Sequence, residues 1–491
     1  MTSAGSGSHW HGVIDIGSNS VRLVIYDVSG HALLPHYNEK VMARLGEGLA
    51  ETGKLSVDGK KRALKALGRY HAILDGLNVK RVRAVATAAV RAARDGDKFI
   101  KQVKSMTGLE VEVISGQDEA RFSALGVSGG IHKATGLVGD LGGSSLEFSR
   151  VENGVVQDGE SLMLGPLSMN LEGQERQEAV REALSGSRLL PESGGRFYMV
   201  GGAWRALAKL HMIVTEYPLR QLHSYLLDEH AILAIDEAVS RTDPVGLQRL
   251  AKASQRRQDV LPYAHLVLSE TFKVGGFTDA MVSSYGLREG VILEGLEQEG
   301  SDPLLEGIAL SVRLQDQRRA FGEALYEWVR PVVQPHADLF GERDLDMRLV
   351  AGACLFADSG ARFHPDTRAE LAYARALNGL YSNVTHAERA FIALSVGHRY
   401  ARQFRPPSRG EALLDRRQTK LAKRLGAAMR LGAVYSGRSA DILGNSELIR
   451  EDSCITLAVP TERRALVSMT VERRLKTLAM SMDLTANVVF T

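Results

Sequence analysis

Residues Gly12 to Asp27 read GVIDIGSNSVRLVIYD, two β-branched stretches around an Asp-x-Gly turn. The arrangement returns at Gly136 to Gly154, GLVGDLGGSSLEFSRVENG. Laying Asp140 on Asp15 carries Gly17 onto Gly142 and Ser20 onto Ser145. Each copy then runs extended to a glycine turn, Ser29-Gly30 in the first and Asn153-Gly154 in the second, and Asn-Gly is a type I′ hairpin signal. A hairpin that recurs 125 residues later (140 − 15) implies two similar domains in one chain. The turn chemistry suits an anion. Gly17 admits close backbone approach, and Ser18, Asn19 and Ser20 add donors beside the turn N–H groups. Two such turns facing one cleft would hold a phosphate bridged to Asp15 and Asp140 by a divalent cation.

Between and after the hairpins, strands alternate with helices, which argues an α/β unit. Ser56 to Leu77 carries apolar residues at helical spacing with Ser56 as N-cap, and Val82 to Ala86 reads as a strand leading into a helix opened by Thr87. A helix from Phe99 ends at Gly108, Val111 to Ile114 is a strand, and Gln117 to Val127 a helix capped by Ser115. Asp118 can close that cap, while Glu119 points about 100° away round the helix. From about Ser301 the pattern changes to long amphipathic runs, Leu304 to Val332, Arg368 to Leu380, Ala387 to Phe404 and Arg417 to Tyr435. Arg399 to Arg424 contains nine basic residues (Arg399, Arg402, Arg405, Arg409, Arg416, Arg417, Lys420, Lys423 and Arg424) against Glu411 and Asp415. That run is either a solvated face or a track for a polyanion.

Six segments in order, VIDIGSNSVRL at Val13, ATAAVRAA at Ala86, ISGQDEARF at Ile114, GDLGGSSLEF at Gly139, VGGAWRALA at Val200 and SSYGLREGVIL at Ser283, carry a resemblance. The paired turns resemble the phosphate loops of the actin, hexokinase and sugar-kinase superfamily. The whole set resembles its exopolyphosphatase and guanosine pentaphosphate phosphatase branch over roughly the first 300 residues. The resemblance implies two duplicated actin-like (ribonuclease H-like) α/β domains, residues 1–128 and 129–300, with a cleft between them. An all-helical HD-like domain over 301–491 would follow. It implies Glu119 as the base that activates water, with Asp118 as runner-up, and Arg91 as the cation over the transferring phosphoryl group. Asp15, Asp140 and Glu147 would hold Mg²⁺ or another divalent cation. Gly17, Ser18, Asn19, Ser20, Gly142, Gly143, Ser144 and Ser145 would bind phosphate. The glycine pair Gly201-Gly202 either contacts a nucleoside, as in nucleotide-binding relatives, or packs a strand tightly on a helix.

The chain departs from the branch in two places. Ser144 stands where a third glycine is usual, and Leu146 where a threonine is, which narrows the loop. In the C-terminal region the metal-binding His-Asp dyad reads Ala357-Asp358, so a second phosphohydrolase site is not expected. His364, His386 and His398 are read as packing or surface histidines.

The expected activity is exopolyphosphatase, a hydrolase acting on phosphoanhydride bonds of inorganic polyphosphate. Guanosine pentaphosphate is the alternative substrate at the same site. A binding module without turnover and a sugar kinase are the other readings; Glu119 with Arg91 argues against the first, and the second is disfavoured because an acid in Glu119's motif and context is not that branch's base. GxxxxGK[ST], HExxH, paired CxxC and a serine elbow are absent. Only Cys354 and Cys454 occur, the start MTSAGSGSHWHG lacks signal-peptide features, and no run approaches 18 apolar residues. The net charge of +3 is too small to argue for nucleic acid. The expectation is a cytoplasmic homodimer with neither membrane nor nucleic acid as partner.

Overall fold

A computed structural model describes residues 9–169, 171–232, 234–235, 260–296, 302–333, 338–407 and 409–491. The chain divides into two compact units, Met1–Gly300 and Ser301–Thr491.

In the first unit, the first Asp-x-Gly segment folds as β1 (Trp10–Ile16) and β2 (Val21–Ser29), continued by β3 (Ala32–Val41), β4 (Arg81–Ala86) and β5 (Val111–Val113). Their order in the sheet is β3-β2-β1-β4-β5, antiparallel through the hairpins and parallel from β1 onward. The second segment repeats the plan. It forms β6 (Gly136–Leu141), β7 (Leu146–Glu152), β8 (Val155–Leu162), β9 (Arg196–Val200), β10 (Tyr225–Asp228) and β11 (Asp279–Val282). The order is β10-β11-β9-β6-β7-β8, so the second sheet is the first with one antiparallel edge strand added. This is the duplication that the repeat implies, in the actin-like form that the resemblance implies. Asn153 and Gly154 both take positive φ (48° and 80°), as the type I′ signal requires.

Both sheets are covered on two faces, which explains why inner strands such as β2 and β9 are apolar almost throughout. Ile14, Leu23 and Ile25 pack with Leu67, Tyr70 and Leu74 of helix Val57–Gly76 on one face. Val13, Val24 and Tyr26 pack with Phe122 and Val291 on the other. Helix Gly116–Gly130 lies between the sheets: Phe122 belongs to the core under the first, and Ala124 and Val127 pack with Val138, Tyr198 and Met281 of the second. Glycine makes this possible. A Cβ on Gly126 would come within 2.2 Å of the Gly286 carbonyl oxygen, and one on Gly290 within 1.8 Å of that of Phe122. Ser115 caps this helix as expected, accepting from the Asp118 N–H at 3.0 Å. Ser56 caps Val57–Gly76, and Gly108 (φ 70°) ends Gly96–Thr107.

The second unit is built mainly of helices: Pro303–Val312, Asp316–Val333, Arg343–Leu355, Arg368–Asn378, His386–Tyr400, Arg416–Tyr435 and Met469–Met480. Two expectations need correction. The run Leu304 to Val332 is two helices, because Arg313 takes φ 47° and closes the first at its C-terminus. The unit is also not all-helical. β12 (Glu447–Arg450), β13 (Cys454–Val459) and β14 (Thr485–Phe490) form a three-stranded sheet ordered β12-β13-β14. In β13, Ile455 to Val459 are buried without alternation, so periodicity cannot separate this strand from a buried helical turn. His386 and His398 are buried and His364 is exposed, as packing and surface histidines should be. Cys354 and Cys454 are both free thiols. Among the described residues, no helix is long and apolar enough to cross a membrane.

Candidate active site

The two turns at the ends of β1 and β6 have one geometry. The Gly17 N–H donates to the Ser20 carbonyl at 3.0 Å, and the Gly142 N–H to the Ser145 carbonyl at 2.9 Å. Cross-strand register makes the equivalence strict and shows where it breaks. Asp15 lies opposite Arg22 and Asp140 opposite Glu147, so the duplicated position carries a cation in one hairpin and an acid in the other. Both turns line one pocket of about 430 Å³, together with Glu119, Thr87, Gly201 and Gly202. Gly201 is a packing glycine. Its φ is 99°, and a Cβ there would sit 2.5 Å from the Leu141 carbonyl and 3.1 Å from the Asp140 carboxylate.

Twelve of the expected site residues, Asp15, Gly17, Ser18, Asn19, Ser20, Glu119, Asp140, Gly142, Gly143, Ser144, Ser145 and Glu147, line this pocket. Arg91 lies outside the lining and reaches it through Glu119. Its Nη1 stands 3.3 Å from Glu119 Oε2 and donates to the Ile114 carbonyl at 2.7 Å. Geometry separates the two neighbouring acids. Asp118 lies outside the pocket lining with its side chain half-exposed, and accepts from the Ser115 hydroxyl at 2.6 Å; Glu119 is buried and faces the pocket. Burial pushes the Glu119 carboxyl up to about 7, against the pull of Arg91 and with Asp140 and Asp15 adding to it. Glu147 also rises, through burial and then the negative charges of Glu119 and Asp140, while it accepts from the Ser161 hydroxyl at 2.9 Å. Burial raises Asp140 too, partly offset by the Ser123 hydroxyl at 2.6 Å and by Arg205 and Arg288, with Asp15 opposing them.

Three arginines were missed as site residues, Arg22, Arg205 and Arg288, and Lys40 joins them in the lining. Arg288 Nη1 pairs with Asp15 Oδ2 at 3.0 Å, and its Nε is buried without a partner. Burial opposes the Arg288 charge, but Glu289 and Asp15 more than offset it and hold the group above its usual range. Burial and then Arg288 bring Arg205 down to about 10. Arg22 falls through the same two causes. All three sit inside the quoted motifs, and Arg22 carried a usable signal, a charged residue opposite an aspartate in a hairpin. For Arg205 and Arg288 only packing brings them to the pocket, across 65 residues (205 − 140) from Asp140 and 273 from Asp15 respectively.

Among the described residues, no three His, Cys, Asp or Glu converge as a metal cage. Mg²⁺ does not require one, since it keeps most of its water and takes one or two carboxylates plus substrate phosphates. Asp15 and Asp140 meet that condition, because both line one pocket and the Asp15 charge adds to the cost of ionising buried Asp140, which a cation would relieve.

Ser144 adopts no left-handed backbone, and its hydroxyl donates to that of Ser18 at 2.9 Å with both side chains buried. The residue that departs from the family pattern therefore ties the two turns together. Ser144→Gly should keep the fold and raise KM about two- to tenfold, the worth of one neutral hydrogen bond, with kcat changed less. Steady-state kinetics read this directly, and an unchanged KM would mean that the tie contributes nothing.

The model of the Ppx/GppA phosphatase family matches residues 24–299, more than half of the chain. The chain belongs to the Ppx/GppA phosphatase family. A second model, described as the exopolyphosphatase C-terminal domain, matches residues 310–489. Among the relatives of this Ppx/GppA phosphatase, exopolyphosphatase 1 of Mycobacterium bovis is 27% identical over 327 residues, covering 60% of this chain and 90% of the relative. The guanosine-5'-triphosphate,3'-diphosphate pyrophosphatase of Photobacterium profundum is 37% identical over 142 residues, 28% of each chain. The solved Aquifex aeolicus family member is 28% identical at a TM-score of 0.52, covering 60% of this chain and 99% of that one.

Proposed function

We propose that this chain is an exopolyphosphatase that releases terminal orthophosphate from inorganic polyphosphate by attack of water. The observation that carries the reading is Glu119. It is buried in a pocket walled by two register-matched phosphate turns, holds a proton affinity near neutrality and is held by Arg91. The names of the exopolyphosphatase relatives supply the substrate class.

In this mechanism the terminal phosphate lies between the turns and takes hydrogen bonds from turn N–H groups and from Ser20 and Ser145. Arg22, Arg205 and Arg288 balance charge along the chain's oxygens. Glu119 accepts a proton from water as the new P–O bond forms and the anhydride P–O bond breaks, leaving the shortened chain as the departing group. Arg91 orients Glu119 and adds positive charge as the phosphoryl group transfers. A divalent cation such as Mg²⁺, held by Asp15 and Asp140 with Glu147 nearby, would neutralise anhydride oxygens when bound. The division into residues 1–128, 129–300 and 301–491, a homodimer, a cytoplasmic location and an HD-like second unit belong to the same proposal. They rest on the family resemblance, with cysteine usage adding to the location.

Phosphate release from long-chain polyphosphate and from guanosine pentaphosphate, measured side by side with Mg²⁺, tests it. Faster release from polyphosphate is expected. Turnover of the pentaphosphate alone would reassign the substrate, and turnover of neither would overturn the proposal.

The basic run refines substrate length. Arg399 and Arg424 are buried, whereas Arg402, Arg405, Arg409, Arg416, Arg417, Lys420 and Lys423 are exposed. Replacing Arg405, Arg409, Arg416 and Arg417 by Gln should weaken affinity for long polyphosphate. It should also flatten the salt dependence of binding by roughly one unit of slope per lost phosphate contact. Hydrolysis of a nucleotide-sized substrate should change little. Equal losses on both substrates would point to damaged folding, and no loss on either to a merely solvated face.

A further inference from the structure

The second unit gathers positive charge that its own acids do not balance. Arg399, near the end of helix His386–Tyr400, is only 9% exposed, and its guanidinium lies 4.7 Å from the Tyr400 ring centroid. Its Nε is buried without a hydrogen-bond partner. From helix Arg416–Tyr435, Arg430 donates to the carbonyls of His398 and Arg399. From helix Met469–Met480, Arg474 donates to the Arg430 carbonyl at 3.1 Å. Three helices thus bring three arginines together. The acid within electrostatic reach of Arg399 is Asp358, which already pairs with Arg438 at 3.1 Å and Arg318 at 3.4 Å. Among the described residues, no carboxylate forms an ion pair with Arg399, Arg430 or Arg474.

The electrostatic consequence is visible on each group. Burial and then the charges of Arg474, Arg399 and Arg402 bring Arg430 down to about 10. Burial also lowers Arg399, with Tyr400 and Asp358 opposing and Arg474 and Arg438 adding to the fall. Beside Asp358, the Ser359 hydroxyl is a second buried polar group without a partner. Buried cations are ordinarily paired, and a buried donor left without a partner needs an account, of which an anion that the chain itself does not supply is one. Arg438, about half exposed at 49%, lies at the surface and within electrostatic reach of Arg399.

We propose that Arg399, Arg430, Arg474 and Arg438 form an anion site in the second unit that takes a phosphate-type oxyanion. Several guanidinium forks approaching from different helices match a tetrahedral group of charge near −2 better than a planar carboxylate. The source is either free orthophosphate or the phosphate end of a larger phosphorylated molecule. The site is independent of the reading of the catalytic pocket, which lies wholly among residues of the first unit.

Hydrogen–deuterium exchange on the full chain, with orthophosphate or guanosine diphosphate as probe, tests the proposal. Either probe should protect peptides spanning residues 391–402, 424–435 and 470–478. Protection by orthophosphate identifies the free ion as sufficient, and protection by the nucleotide alone assigns the larger source. Arg474→Gln and, separately, Arg399→Gln should each weaken that protection about tenfold or more, the worth of a hydrogen bond to a charged group. Peptides around residues 15–20 and 140–145 should respond as in the wild type, and second-unit peptides outside the three segments should exchange as in the wild type without probe, which reports that each variant is folded. Protection by neither probe, or protection undiminished in Arg474→Gln, would overturn the site.

Discussion

Glu119→Gln should lower turnover by roughly 10²–10⁴-fold, the range for loss of a general base, with substrate affinity largely kept. Gln is close in shape and can still face Arg91, so the variant tests proton acceptance and not packing. Asp118→Asn should stay near wild type, because Asp118 lies outside the pocket lining and holds the helix cap and a loose ion pair with Arg121 at 3.8 Å. The pH profile adds a signature. Glu119 acts only when ionised and its pKa stands at about 7, so the wild-type rate should climb as pH rises through that region and level above it. In Glu119→Gln the residual rate should lose this acid limb. Full activity in Glu119→Gln with a dead Asp118→Asn would move the role to the neighbour and sink the mechanism.

Arg91→Met should cost roughly 10²–10³ in kcat, the scale for removing one charge-stabilising donor at a reacting centre. The sign of a second effect follows from the same ion pair. Burial raises the Glu119 pKa and Arg91 pulls it down. Without the guanidinium the pKa rises further, so the acid limb of the rate profile should move to higher pH than in the wild type. Arg91→Lys should restore much of the limb's position, because a charge remains. It should restore less of kcat, because a single ammonium cannot hold both Glu119 and the Ile114 carbonyl as Arg91 does. A limb that stays in place in Arg91→Met would mean that Arg91 does not govern the base.

The residues that a turn must carry were legible in the chain because turn chemistry is local. Asp15, Gly17 and Ser20, with their counterparts Asp140, Gly142 and Ser145, needed only a shift of 125 positions to be paired. Ser115 as a cap and Gly108 as a stop were legible for the same reason. Arg288 was not, since its pairing with Asp15 spans 273 residues and depends on how helix Leu287–Leu293 packs under Gly126. In the second unit, β13 was missed because a short apolar run without alternation has no period to read.

What the sequence determined by itself is therefore the repeat, the two turns and the short motifs that mark the family, all of them set by backbone conformation within a few residues. Tertiary structure decided which of Asp118 and Glu119 faces the pocket, because a helix turned by one residue presents another side. It also decided that Ser144 meets Ser18, and that Arg399 leaves the exposed run for the interior of its unit. Each of these depends on what packs against the residue, and burial is a property of neighbours that residues near in sequence do not supply.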